Sequence, residues 1–284
     1  MASRTKKSGT DTDRGSNVRR LAPLADSFDP ATDLLEQYEP QRNIGDIVLS
    51  DGVSETIASI MQEYRNAEML RRHHLPVSSR MLLTGPPGCG KTLLAEVVAS
   101  ELGLPLYFVR LDAVISSYLG ETASNLRHIF EYAKRVPCVL FLDEFDALGR
   151  TRTDTSEHNE LRRVVNSLLT MMERQRSRGL FIAATNLPDS LDHAVWRRFD
   201  EIIEMSVPNK ANINSLLALK FKNFKTSFKL ENKVKELGDM SYADIERICF
   251  NTIKLAVMAR KKTASVKDFT SALKRERRRL AIRG

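Results

Sequence analysis

Residues 80–92 read Arg-Met-Leu-Leu-Thr-Gly-Pro-Pro-Gly-Cys-Gly-Lys-Thr, a short apolar run followed by a glycine-rich turn that ends in Lys91-Thr92 and opens a helical pattern. Few stretches restrict a chain so much, because a strand, a phosphate-cradling turn and a helix must follow one another in a fixed geometry. Gly85, Gly88 and Gly90 can take backbone angles closed to other residues, so that successive N–H groups point inward at phosphate oxygens. The helix that follows adds positive potential at its N-terminus, where a β-phosphate would sit. This is a P-loop, and it assigns Gly85, Pro86, Pro87, Gly88, Cys89, Gly90, Lys91, Thr92 and Leu93 to nucleotide binding. Lys91 is expected to bridge the β- and γ-phosphates and the Thr92 hydroxyl to hold magnesium, making ATP and Mg2+ the implied cofactors.

The rest of the chain reads as the scaffold such a loop needs. Apolar runs at Leu106, Val139, Leu180 and Ile202 are short and separated by helix-length segments, as in strands covered on both faces by crossover helices. The expected fold is α/β, a three-layer P-loop domain over residues 43–208 with a five-stranded parallel sheet. After Pro208 the strand signal stops, and amphipathic patterns at 211–224, 230–237, 242–260 and 266–281 predict a small all-helical lid domain over 209–284. Residues 1–42 read as a flexible basic tail and linker, with one short helix around Thr32 to Gln37.

Composition excludes some classes. With 42% hydrophobic and 28% charged residues the 284-residue chain is globular. Three widely spaced cysteines give neither a disulfide framework nor paired zinc ligands, and no run approaches about 18 apolar residues. A cytoplasmic protein without a membrane partner is expected. The formal charge of +8 is concentrated towards the chain ends, which weakens a nucleic-acid reading.

Two further strands end in chemistry. Val139-Leu-Phe-Leu delivers Asp143 and Glu144 at the edge where open α/β sheets bind ligands. Asp143 would hold magnesium through water and Glu144 polarise the attacking water; alone, such a pair could equally cap a helix. Leu180-Phe-Ile-Ala-Ala-Thr ends in Asn186, placed to reach a γ-phosphate, or else to form an Asx turn before Pro188. Cys89, beside Lys91 and a helix N-terminus, has the setting of a lowered thiol pKa and hence of a redox-sensitive ATPase; the alternative is a small loop residue.

Gly85-Pro-Pro-Gly-Cys-Gly-Lys-Thr92, Leu142-Asp-Glu-Phe-Asp-Ala-Leu-Gly149, Ala183-Ala-Thr-Asn186 and Leu191-Asp-His-Ala-Val-Trp-Arg-Arg-Phe-Asp200 together resemble the AAA family of the AAA+ ATPases. In character the chain is similar to small bacterial stand-alone members, some of which accompany a subtilisin-like protease. The resemblance implies ATP hydrolysis by a homo-oligomer, usually a hexamer, acting on protein substrates, with a separate protease or adaptor as partner. It makes Arg197 and Arg198 arginine fingers for a neighbouring subunit, in the contracted spacing of spastin and katanin, without saying which is primary. It places Tyr118 and Leu119 in a pore loop that grips polypeptide, against the alternative of ordinary packing. It sets Ala243 near the nucleotide, where Tyr242 replaces the family's glycine, and Ile47 near adenine. The alternatives are a nucleic-acid motor or loader, suggested by the basic last helix, and a switch that assembles without threading.

Overall fold

The computed structural model describes residues 18–20, 31, 33–115, 119–146, 165–173 and 178–283. Among the described residues the main sheet has seven strands: β1 (Val18–Arg20), β2 (Leu35–Tyr38), β3 (Arg80–Thr84), β4 (Leu106–Val109), β5 (Val139–Leu142), β6 (Leu180–Thr185) and β7 (Glu201–Glu204). Their spatial order is β1-β2-β4-β5-β6-β3-β7. The five strands from β4 to β7 run parallel, as expected. The two before them are antiparallel and correct the sequence reading of that region.

Residues 35–37 lie in the segment expected as a short helix and instead form, with Tyr38, a strand, with Leu35 opposite Val109 and Tyr38 opposite Leu106. A helix of about six residues nucleates poorly, whereas the open edge of β4 offers a full row of unpaired amides and carbonyls. Leu35 is buried there. Val18–Arg20, at the end of the expected flexible tail, pairs with β2 in turn.

Alternation along the strands builds two cores. Leu82, Leu140, Leu142, Phe181 and Ala183 point to one face, under Leu126, Ile129 and Phe130 of the helix Leu119–Arg135 and Leu168, Leu169 and Met172 of the helix at 165–173. Met81, Leu83, Val139, Phe141, Ile182 and Ala184 point to the other, under Ile57 and Ile60 of the helix Asp51–Arg65 and Leu94, Ala95 and Val98 of the P-loop helix Lys91–Leu102. β5 and β6 are buried along their whole length, which is why their sequences are apolar without alternation.

A third core belongs to the C-terminal segment. Ile213, Leu217, Ile245, Ile248, Phe269 and Leu273 gather from the helices Lys210–Phe221, Tyr242–Met258 and Val266–Arg283, with Val48 packed against them. This part is helical, as expected, apart from one two-residue strand pair. Lys225–Thr226 (β8) and Thr263–Ala264 (β9) form a two-stranded parallel pair, and Leu230–Leu237 is a 3-10 helix. The β-pair satisfies backbone groups of two loops drawn together by the core beneath them.

Candidate active site

The phosphate cradle leaves the C-terminal end of β3, and close contacts on both sides require two of its glycines, Gly85 and Gly88. Gly85, Gly88 and Gly90 have φ values of 136°, 79° and 93°. A Cβ on Gly85 would stand 2.0 Å from the Met205 carbonyl oxygen, and one on Gly88 would stand 2.6 Å from Ser241 Oγ. The first contact comes from the end of β7, where Met205 N donates to Thr84 O at 2.7 Å. The second comes from the C-terminal segment, where Ala243 N donates to Gly88 O at 3.1 Å.

Lys91 folds back into this turn. Its Nζ donates to Gly85 O at 2.6 Å, Pro86 O at 3.1 Å and Asn186 Oδ1 at 2.7 Å. Burial pulls its pKa below the ordinary lysine value, against the opposing pull of Cys89, Asp143 and Asp146. Asn186 thus meets the P-loop lysine across the strand ends. Thr92 Oγ1 donates to Asp143 Oδ2 at 3.1 Å, which joins the end of the loop to the end of β5.

Glu144 follows with a left-handed φ of 51°, and its N–H donates to Asp143 Oδ1 at 2.9 Å. Such a conformation is uncommon for a side chain other than glycine, asparagine or aspartate. It is held from the next residue, because Phe145 is buried and its N–H donates to Ala184 O at 2.8 Å. The exposed Glu144 carboxylate is thereby directed away from the core and into the cleft.

The cleft has a volume of about 350 Å³. Pro87, Gly88, Cys89, Gly90, Lys91, Thr92, Leu93, Asp143, Glu144 and Asn186 line one end. Ile47, Val48, Leu216, Tyr242 and Ala243 line the other. Cys89 is a correction. Its side chain is 2% exposed and packs into the core under the P-loop helix, and burial raises the thiol pKa despite the lowering pull of Lys91. Desolvation outweighs the nearby cation, and the setting of a reactive thiolate is absent.

Arg197 and Arg198 are not among the residues that line this cleft. They follow the short helix His193–Trp196, and two residues later the Asp200 carboxylate accepts from Ser79 N and Arg80 N at the opposite end of β3. Arg197 is exposed, whereas Arg198 is ion-paired with Glu173. Tyr118 lies outside the described residues, and Leu119 begins the helix that runs to Arg135.

Several contributors escaped the sequence. The buried Thr185 hydroxyl donates to Asp146 Oδ1 and accepts from Leu187 N, both at 3.0 Å, which fixes the turn carrying Asn186. Glu96, on the P-loop helix, accepts from Gln41 N and Arg42 N and brings Arg42 to the cleft wall from a segment read as linker. Thr185 and Asp146 lie inside quoted motifs and could have been found there. Arg42 carries no local signal.

A parallel sheet whose strand ends present a P-loop, an acidic pair and a polar asparagine defines a P-loop ATPase. Residues 81–207 match the family described as "ATPase family associated with various cellular activities (AAA)". An uncharacterized AAA family ATPase, y4kL, of Sinorhizobium fredii is 51% identical over 263 residues, covering 93% of this chain and 80% of that protein. The chain belongs to the AAA family and is an ATP hydrolase. An ATP-dependent zinc metalloprotease FtsH of Halothermothrix orenii is 31% identical over 256 residues, and a probable 26S proteasome regulatory subunit 10B of Caenorhabditis elegans 32% over 270. The chain spans 41% of the first of these and 66% of the second. Among the described residues no helix is long and apolar enough to cross a membrane.

Proposed function

We propose that this ATPase works as a ring or spiral of copies, a hexamer in the usual family arrangement, that uses Mg–ATP to remodel, unfold or translocate protein. The observation that carries the proposal is that Arg197 and Arg198 are not among the residues lining their own cleft. An arginine finger contributes roughly 10³ to 10⁵ in rate, and here only a second copy could supply one from those positions. The relatives named as an ATP-dependent protease and a proteasome regulatory subunit support protein as the substrate, and a separate protease or adaptor as partner.

In this reading Lys91 exchanges its loop carbonyls and Asn186 for phosphate oxygens. The Thr92 hydroxyl and the Asp143 carboxylate form an oxygen pair suited to magnesium, which takes few protein ligands when phosphates supply others. Bound there, the ion would neutralise charge on the β- and γ-phosphates. Glu144 orients and polarises the water, and Asn186 fixes the γ-phosphate or that water. Tyr118 and Leu119 grip the polypeptide.

Two inactive proteins test the shared site. Glu144→Gln should bind ATP without turning it over, and Arg197→Ala/Arg198→Ala should lack the finger. Mixing them should restore turnover, because some seams then join an intact Glu144 to intact arginines; a mixture as inactive as its parts would refute the proposal. Stimulation of the parent by unfolded protein, compared with single-stranded DNA, separates protein remodelling from a nucleic-acid motor. Stimulation by neither supports an assembly switch.

A further inference from the structure

The last helix reads as a basic, solvated surface, yet its one glutamate is its most deeply buried charge among the described residues. Glu276 is 1% exposed, and its Oε1 accepts from Arg247 Nε at 3.1 Å and from Arg279 Nε at 2.7 Å. Arg279 extends further, its Nη2 donating to Asp244 Oδ1 at 3.0 Å. The other oxygen of Asp244 accepts from Ser241 Oγ at 2.6 Å and Ser241 N at 3.3 Å, closing the capping box that begins the helix Tyr242–Met258. That first turn rests on the phosphate cradle through Ser241 and through Ala243 N on Gly88 O. Direct contacts therefore run from Glu276 through Arg279, Asp244 and Ser241 to Gly88.

We propose that Arg279 and Glu276 are positioning residues for nucleotide binding, holding the turn at 241–244 in register against the P-loop from the far side of the C-terminal segment. The inference rests on the ATPase activity and needs neither the ring nor the protein substrate. Two physical features carry it. The network includes a buried carboxylate, so removing one member leaves an uncompensated charge that the segment must shift to solvate. The contact at Gly88 has no slack, because even a Cβ would collide with Ser241. A shift of the turn thus presses on the cradle or loses Ala243 N from Gly88 O. Burial alone would raise the Asp244 pKa, but the Ser241 hydrogen bonds and the Arg247 and Arg279 charges hold it below the ordinary aspartate value. The carboxylate is therefore ionised and able to hold Arg279 at neutral pH.

The test measures ATP affinity by calorimetry and steady-state kinetics on the full chain carrying Arg279→Ala, Arg279→Lys or Glu276→Gln. Arg279→Ala should raise the Kd and KM for ATP about tenfold and lower kcat far less, and Arg279→Lys, which keeps the charge but not the fork, should fall between it and the parent. Lys261→Ala serves as control. It breaks the Lys261–Asp268 pair at the start of the same helix without touching the chain of contacts, and should lower stability with KM unchanged. The proposal is overturned if folded Arg279→Lys and Glu276→Gln both bind ATP as the parent does, or if Lys261→Ala raises KM equally, which would mark general loosening. Should Arg279→Ala not fold, the other two variants decide. A parent that bound ATP but did not hydrolyse it would count against the ATPase reading instead.

Discussion

Thr185→Val isolates what holds Asn186 in place. Valine matches threonine in shape, so the variant removes the donation to Asp146 and the acceptance from Leu187 N and little else. A hydrogen bond to a charged acceptor contributes about 1.5–3 kcal/mol, and the Leu187 amide, at a more exposed turn, about 0.5–1 kcal/mol, so the variant should lose about 2–4 kcal/mol of stability. The catalytic effect follows from geometry. Asn186 is the next residue and meets Lys91 at 2.7 Å, and a misplacement of about 1 Å at a reacting centre costs up to about 10² in rate. Urea unfolding followed by circular dichroism gives the first quantity and phosphate release the second. An unfolding free energy within about 0.5 kcal/mol of the parent, together with an unchanged kcat, would refute the reasoning.

Other outcomes follow from the same contacts. Gly85→Ala should abolish measurable ATP binding in calorimetry while the far-ultraviolet spectrum stays native, since its Cβ meets backbone at 2.0 Å; parental affinity would contradict the packing described. Cys89 should resist iodoacetamide in the native protein at neutral pH and react after denaturation, because burial both shields the thiol and raises its pKa; fast native labelling would restore the redox reading. Hydrogen bonds from Ser265 and the nearby Lys261 lower the Asp268 pKa from 3.8 to about 2. A folded pKa below the unfolded one stabilises above about pH 4 and is lost as the pH falls towards 2. The Tm difference between parent and Asp268→Asn should therefore shrink across that window, and a difference independent of pH would exclude this linkage.

What could be read in advance was local. The P-loop, the acidic pair after an apolar strand and the strand ending in Asn186 each lie within a few residues, and the sheet brings their ends together because parallel strands all point one way. The strand Leu35–Tyr38 was hidden because its partner, β4, lies about seventy residues further on, and only that edge makes extension preferable to a helix. Cys89 misled because spacing shows a nearby lysine but not the burial that outweighs it. Glu276 was invisible for a related reason, since a run of basic residues gives no hint that its one acid faces inward. That Arg197 and Arg198 stay out of the lining of their own cleft is a property of the fold, which local spacing does not carry.

The left-handed backbone at Glu144 has a consequence for anyone improving this protein in the laboratory. Holding glutamate at a φ of 51° costs about 1–2 kcal/mol that glycine would largely avoid. A library sorted only for heat tolerance would thus be drawn towards glycine at this position and, under the role proposed for Glu144, would yield a sturdier molecule that does no work. On that proposal durability and turnover pull against each other at a single peptide unit, so a useful screen has to score both.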